Sequence, residues 1–366
     1  MTNLSDNLKN EKRGKFIIQG NGKKRIELKQ EEINALAFLE TQRILTINQL
    51  YQYCRDYLLY NITLYSFKNR IRRLEEYKII RSIFHNEPSF NSDRFKCISI
   101  GRKGIDILCN FDFLTKDYRK EDIYTFLKKR NFIHTIGVQQ AVINILTYFK
   151  SQTLDFKIML DFYKEEITED DTYENEGTLK LASVSPQKYR YERISDFNYR
   201  YKRSYSPIPR RGIPNRSNNV YDRNRRIVRK ITIIKPDWII ILNPIPRKVL
   251  NIEFDVGTEK LSDLIFKIFG YIEVCRMKPN ETHGVIITLP DESFLSRNKF
   301  GDRSKRIHNI QDAIKQFPNL LNSIRETNLQ IYVVSLKNIG KAALHFFTRI
   351  EDEFINECGI VNRSIK

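Results

Sequence analysis

Two apolar runs late in the chain limit its fold more than any other feature. Residues 231–242 read ITIIKPDWIIIL and residues 248–256 read KVLNIEFDV, with Pro244 and Pro246 in the turn between them. Apolar runs of this length read as strands, and they fall far short of the roughly 20 residues that span a bilayer. Yet Asp237 stands inside the first run. Glu253 and Asp255 alternate in the second, so that both project to one face. A carboxylate in an apolar strand costs several kcal/mol unless it is paired or bound to a cation. Asp237, Glu253 and Asp255 at one sheet edge form a candidate Mg2+ site, because that hard ion takes carboxylate oxygens and water. The alternative is structural: Asp237 caps a turn and Glu253 pairs with an arginine.

The surrounding pattern is that of an α/β domain. Residues 132–149 read as a helix burying Ile136, Val138, Ala141, Ile145 and Leu146, and 156–162 as a strand. An amphipathic helix over 259–276 buries Leu261, Leu264, Ile265, Ile268 and Ile272, and 285–289 and 330–336 supply further strands. This order of helices and strands predicts a mixed sheet. Residues 165–230 differ. An acidic run, EEITEDDTYENE, gives way to interleaved Arg and Tyr that include Arg190, Arg200, Arg203, Arg210 and Arg211. With little aliphatic content and no period, the segment is expected to be a long loop or partly disordered insertion. Guanidinium groups hold phosphates and tyrosine rings stack on exposed bases, which makes it a candidate contact for single-stranded DNA. A merely soluble insert, neutralised in part by the acidic run, is the competing reading.

The first part of the chain carries a different pattern. Residues 1–30 are polar and charged, expected to be a tail, and lack the apolar centre of a secretory signal. Ile33, Leu36, Ala37 and Ile44 then follow a helical period. Thr46 and Gln49 have the spacing of a capping box before a short helix burying Ile47, Leu50, Tyr51 and Cys54. A third helix over 64–76 has Leu64, Phe67, Ile71 and Leu74 on one stripe. Residues 79–84 and 94–100 read as a hairpin around a polar loop, and Gly101-Arg102-Lys103-Gly104 opens another helix. Three helices followed by a hairpin is the order of a winged helix-turn-helix. The third helix presents Tyr65, Lys68, Asn69 and Arg72 outward, with Arg70 and Arg73 beside them. Such donors reach base edges and phosphates in the major groove. A solvated basic face would look the same.

Charge favours the nucleic-acid reading. Lys and Arg outnumber Asp and Glu by 63 to 44, a formal charge of +19, and each cation placed on a phosphate releases counterions. No basic amphipathic anchor helix supports a membrane partner. The five cysteines are odd in number and contain no C-x-x-C pair, so neither a zinc knuckle nor a disulfide framework is suggested, and a cytoplasmic compartment fits. No phosphate-binding G-x-x-x-x-G-K-[ST] motif is present.

Pro236-Asp237, Glu253-Phe254-Asp255-Val256-Gly257-Thr258, and Lys267 and Tyr271 on the next helix resemble the replication-relaxation family of plasmid and mobile-element proteins. His134 and the winged helix in front also fit. The strand pattern is similar to the PD-(D/E)xK nuclease core, where an Asp and a Glu on adjacent strands bind metal and a Lys two residues on orients water. Asp237 and Glu253 match, while Asp255 stands where the lysine belongs. Lys260 or Lys267 from the following helix are the candidates to replace it. No two of the five histidines lie close enough for the paired-His motif of relaxases.

The resulting expectation is an α+β chain. A basic tail (1–30) precedes a winged helix-turn-helix (31–115). A restriction-endonuclease-like α/β domain with a mixed sheet (116–164 and 231–350) is interrupted by the insertion (165–230), and a C-terminal tail (351–366) follows. The expected function is sequence-specific binding of double-stranded DNA in plasmid or mobile-element replication, its control or transcription, with a degenerate, non-catalytic nuclease-like domain. The alternatives are a Mg2+-dependent site-directed endonuclease or nickase, and a scaffold in a replication or conjugation complex. A homodimer is compatible with any of these.

Overall fold

The computed structural model describes residues 15–19, 25–86, 94–116, 118, 131–152, 156–159, 179–184, 199–202, 231–234, 236–242, 247–257, 259–292, 294, 303–327 and 329–348. They form a mixed α and β protein in two compact units, Met1–Thr178 and Leu179–Lys366.

In the first unit, β1 (Lys15–Gln19) and β2 (Arg25–Lys29) make an antiparallel hairpin that runs directly into α1 (Gln30–Gln42). Ile26 and Leu28 are fully buried while Arg25, Glu27 and Lys29 face outward. The expected polar tail over 1–30 is therefore corrected at 15–19 and 25–30, while 1–14 and 20–24 lie outside the described residues. The alternation in RIELK is a strand whose charged face masks its apolar one. α1 buries Ile33, Leu36 and Ala37 as the period predicts, and Phe38 and Leu39 as well. After β3 (Leu45–Thr46), α2 (Ile47–Gln52) starts with the reciprocal capping box read from the sequence. Gln49 N–H donates to Thr46 Oγ1 at 3.2 Å, and Thr46 N–H donates to Gln49 Oε1 at 3.0 Å. A wider π turn over Tyr53–Tyr57 continues it and stacks Tyr53 on Phe38, with ring centroids 3.7 Å apart.

α3 (Leu64–Glu76) follows, and then β4 (Ile80–Asn86) and β5 (Arg94–Ile100) pair antiparallel, with β3 added to the far edge of β5. The tip of this hairpin, 87–93, lies outside the described residues. α4 (Arg102–Asn110) begins hard against the entry to β4. A Cβ on Gly104 would lie 2.3 Å from the Ile79 carbonyl oxygen, so only glycine lets the helix approach so closely.

The sequence pattern grouped residues 116–164 with the C-terminal sheet, but α5 (Phe132–Ser151) belongs to the first unit. Side-chain amides tie it to the helices there. Gln139 Nε2 donates to the Gln42 carbonyl at 2.7 Å, and Gln49 Nε2 donates to the Ile136 carbonyl at 2.9 Å. Gln140 Nε2 reaches Gln52 Oε1 at 2.8 Å. A short strand, β6 (Phe156–Met159), lies beyond it.

The second unit contains β7 (Leu179–Val184), β8 (Tyr199–Lys202), β9 (Ile231–Ile234), β10 (Trp238–Leu242) and β11 (Arg247–Phe254). It continues through α6 (Leu261–Met277), β12 (Glu281–Leu289), α7 (Ser304–Lys315), α8 (Pro318–Arg325), β13 (Leu329–Ser335) and α9 (Ile339–Thr348). Its strands lie in the order β13-β12-β11-β10-β7, with β11, β12 and β13 parallel and β10 antiparallel to both its neighbours. The mixed sheet expected from the sequence is present. Leu264, Ile268 and Ile272 of α6, Ile310 and Ile314 of α7, and Leu320 and Ile324 of α8 pack on one face, against Val285, Ile287, Ile331 and Val333.

Two expectations change here. The run 231–242 is two strands, because Pro236 lacks an N–H to donate and breaks the ladder. β9 pairs with β8, whereas β10 enters the large sheet. The expectation of a long loop or partly disordered insertion over 165–230 also changes in part, since LKLASV at 179–184 is a sheet strand and Tyr199–Lys202 pairs with β9. Arg200 lies in β8. Arg190, Arg203, Arg210 and Arg211 lie outside the described residues, as does the tail 351–366.

Gly104→Ala is expected to lower stability by about 1–3 kcal/mol, the usual cost of forcing a methyl into packed backbone. Urea unfolding of the full chain measures it, and an unchanged midpoint would mean that α4 does not sit this close to β4.

Candidate functional site

The acidic edge of the second unit is built where β11 ends. Asp237, between Pro236 and β10, donates its N–H to the Ile252 carbonyl at 3.0 Å, and its Oδ2 accepts the Phe254 N–H at 2.9 Å. It therefore bridges the start of one strand to the end of the next. Glu253 points to the face covered by α6 and is 3% exposed. Its Oε1 accepts the Tyr271 hydroxyl at 2.5 Å and its Oε2 accepts Lys267 Nζ at 3.0 Å. Lys267 and Tyr271 are four residues apart on α6, one helical turn, which sets both side chains over the same strand residue. Lys267 Nζ also reaches Glu259 Oε2 at 3.0 Å.

Burial, more than any other cause, raises the Glu253 carboxyl to about 7, and the nearby negative charge of Asp237 adds to it. Lys267 and Tyr271 pull the other way. Lys267 is itself opposed by burial but is held protonated by Glu253 and Glu259 together.

Asp255 goes elsewhere. It lies past the end of β11 and is 2% exposed, donating its N–H to the Thr288 carbonyl at 2.9 Å. Its Oδ1 accepts the Gly257 N–H at 2.7 Å, and its Oδ2 meets Arg306 Nε and Nη2 at 3.0 and 2.9 Å. Gly257 has φ +89°, a conformation that favours glycine, and the Arg303 guanidinium packs 3.2 Å from where a Cβ would stand.

The expected set of three carboxylates sharing a Mg2+ ion is corrected by this arrangement. Strand alternation ends at Phe254, so Asp255 turns into an ion pair with Arg306, while an ammonium sits where a cation would meet Glu253. No group of three or more metal-ligating side chains occurs among the described residues. A three-carboxylate Mg2+ site does not fit. The structural alternative comes closer, with Asp237 capping backbone and Glu253 paired, though with a lysine. Of the two candidate lysines, Lys267 reaches Glu253, and Lys260 is exposed just before α6. Arg306 was missed from the sequence. Its helix, SKRIHNIQDAIK, is amphipathic, but nothing local to it signals a carboxylate some fifty residues earlier. His134 donates its backbone N–H to Asn131 Oδ1 at 3.1 Å in the first turn of α5.

In the first unit, α3 is capped by Thr63, whose hydroxyl accepts the Ser66 N–H at 3.2 Å. Phe67, Ile71 and Leu74 are buried, and Tyr65, Lys68, Arg72 and Arg73 are exposed on the other face. Arg72 Nη2 donates to Asn69 Oδ1 at 3.1 Å. Arg70 is the exception to the expected outward set. Its guanidinium grips Glu32 with Nε–Oε1 at 2.6 Å and Nη2–Oε2 at 2.7 Å, and also donates to the Glu27 carbonyl. Arg70 thus anchors α3 to α1 and β2 through a bidentate pair, a strong and directional form of charge-assisted hydrogen bond.

Comparison with known proteins finds no family model, no curated sequence and no solved structure that matches the chain. Among the described residues, no helix is long and apolar enough to cross a membrane.

The raised Glu253 carboxyl fixes a pH dependence. Its value is 4.5 in an unfolded chain and about 7 in the folded one, so the folded state holds the extra proton between them. This contribution is present in full below the lower value and lost as pH rises through the upper. Thermal melting from about pH 5 to about pH 7.5 is expected to fall more steeply for the wild type than for Glu253→Gln. Parallel slopes would contradict the assignment.

Proposed function

We propose that this protein binds specific duplex DNA sequences through a winged helix-turn-helix. It would serve replication, its control or transcription in a plasmid or mobile element, with a non-catalytic, nuclease-like sheet domain alongside. The observation that carries the reading is α3, which buries one apolar stripe and turns Tyr65, Lys68, Arg72 and Arg73 outward. The surrounding order of elements supports it. α1, β3, α2, α3, β4 and β5, with β3 beside β5, follow the order expected of a winged helix, in which the third helix would enter the major groove. The formal charge of +19 supports a polyanionic partner.

The pairing of Asp255 with Arg306, at the sequence position where the nuclease core carries its lysine, supports a sheet domain without hydrolytic chemistry. One observation favours the second reading, a Mg2+-dependent endonuclease. Lys267 arrives from α6 beside Glu253 and Asp237, giving an Asp, Glu and Lys set like that of the PD-(D/E)xK core.

Lys68→Ala combined with Arg72→Ala is expected to abolish retention of a selected duplex while leaving the melting temperature unchanged. Retained binding in that double variant would mean that α3 is a protein-contact surface. Supercoiled DNA incubated with the protein and Mg2+ or Mn2+ is expected to stay intact. Nicking that disappears in Asp237→Ala would establish the second reading instead.

A further inference from the structure

We propose that Leu59 and Tyr65 form an apolar reading head for the methyl groups of thymines in the major groove. This rests on the reading of α3 as the DNA-entering helix and adds what that helix selects.

Among the described residues, four large hydrophobics are conspicuously exposed, and two of them flank the start of α3, Leu59 at 65% and Tyr65 at 77%. Leu59 has φ +54°, the left-handed region, in a residue type that avoids it. The left-handed turn itself ends the preceding helix, as it does at Lys78 and Asp112, where the next residue's N–H also reaches back into the helix. The Leu59 side chain is in solvent, and glycine or asparagine would take the same backbone at lower cost. The turn is a structural need, but a leucine exposed at its tip is not. The neighbouring Tyr60 fixes the turn from the other side, since it is buried and its N–H donates to the Cys54 carbonyl at 2.9 Å. Leu59 is therefore held outward by the burial of the next residue.

Charge identifies the occupant. The exposed face of α3 continues into Lys68, Arg72 and Arg73, so an apolar partner surface of neutral or positive character is disfavoured and duplex DNA is favoured. In the major groove the one apolar group a base pair presents is the C5-methyl of thymine. Tyr65 in the first turn of α3 and Leu59 in the turn before it lie at the N-terminal end of the helix. That is the end which contacts base edges in helix-turn-helix docking.

The test uses the full chain and a random-sequence duplex pool. Wild-type protein is expected to enrich sites containing thymines at fixed positions. Replacing those thymines by uracil, which removes only the methyl, is expected to weaken binding about fourfold per methyl, the equivalent of about 0.8 kcal/mol of buried apolar group. Leu59→Gly is expected to bind thymine and uracil versions alike at one position, with a melting temperature equal to or above that of the wild type. Tyr65→Ala is expected to lose discrimination at a second position. Equal wild-type affinity for the two versions would overturn the proposal, as would undiminished discrimination in both variants. A pool from which the wild type enriches nothing would overturn the DNA-binding reading itself, and this proposal with it.

Discussion

Four carboxylates are buried among the described residues; Glu40 is answered by Arg43 at the end of its own helix, and Glu32, Glu253 and Asp255 by cations from elsewhere in their units. A buried charge left unpaired costs far more than the pair returns, so these contacts dictate where helices sit. In the first unit, Glu32 caps α1 through the Lys29 N–H at 3.0 Å and simultaneously receives both arms of Arg70. That single carboxylate fixes the angle of α3 against α1. In the second unit, Glu253 and Asp255 draw α6 and α7 to the end of β11 through Lys267, Tyr271 and Arg306. The acidic edge is in this sense the clamp of its domain.

Much of this was legible in the sequence where the signal is local. The Thr46–Gln49 capping box, the stripe Phe67, Ile71 and Leu74, and the hairpin over 80–100 all follow from short-range periodicity, and the structure contains each. The misses share a physical origin. RIELK alternates over too few residues to stand out from its charges. Pro236 splits a run that apolarity alone makes continuous. The placement of α5 depends on buried amides of Gln49 and Gln139, which look polar and external in a sequence.

The candidate site divides the same way. Alternation placed Glu253 correctly but carried Asp255 one step too far, because strand geometry ends at Phe254. Lys267 was identified through resemblance, and the α6 turn puts it 3.0 Å from Glu253 Oε2. Arg70 was read outward because charge and helical position allow it, whereas the burial of Glu32 turns it inward. Removing Arg70 from the outward set leaves a smaller, better defined face in which aromatic and cationic groups are adjacent.

One chain carries both a basic, partly apolar helix face and a sheet domain whose buried carboxylates are paired with the chain's own cations. The proposal that α3 reads duplex DNA is tested most directly by hydroxyl-radical footprinting of the full chain on a duplex that it enriches from a random-sequence pool. The account predicts protection of about one helical turn per bound copy at a defined sequence, lost on the α3 face variants and weakened by salt. Uniform cleavage along the duplex at every protein concentration would contradict it.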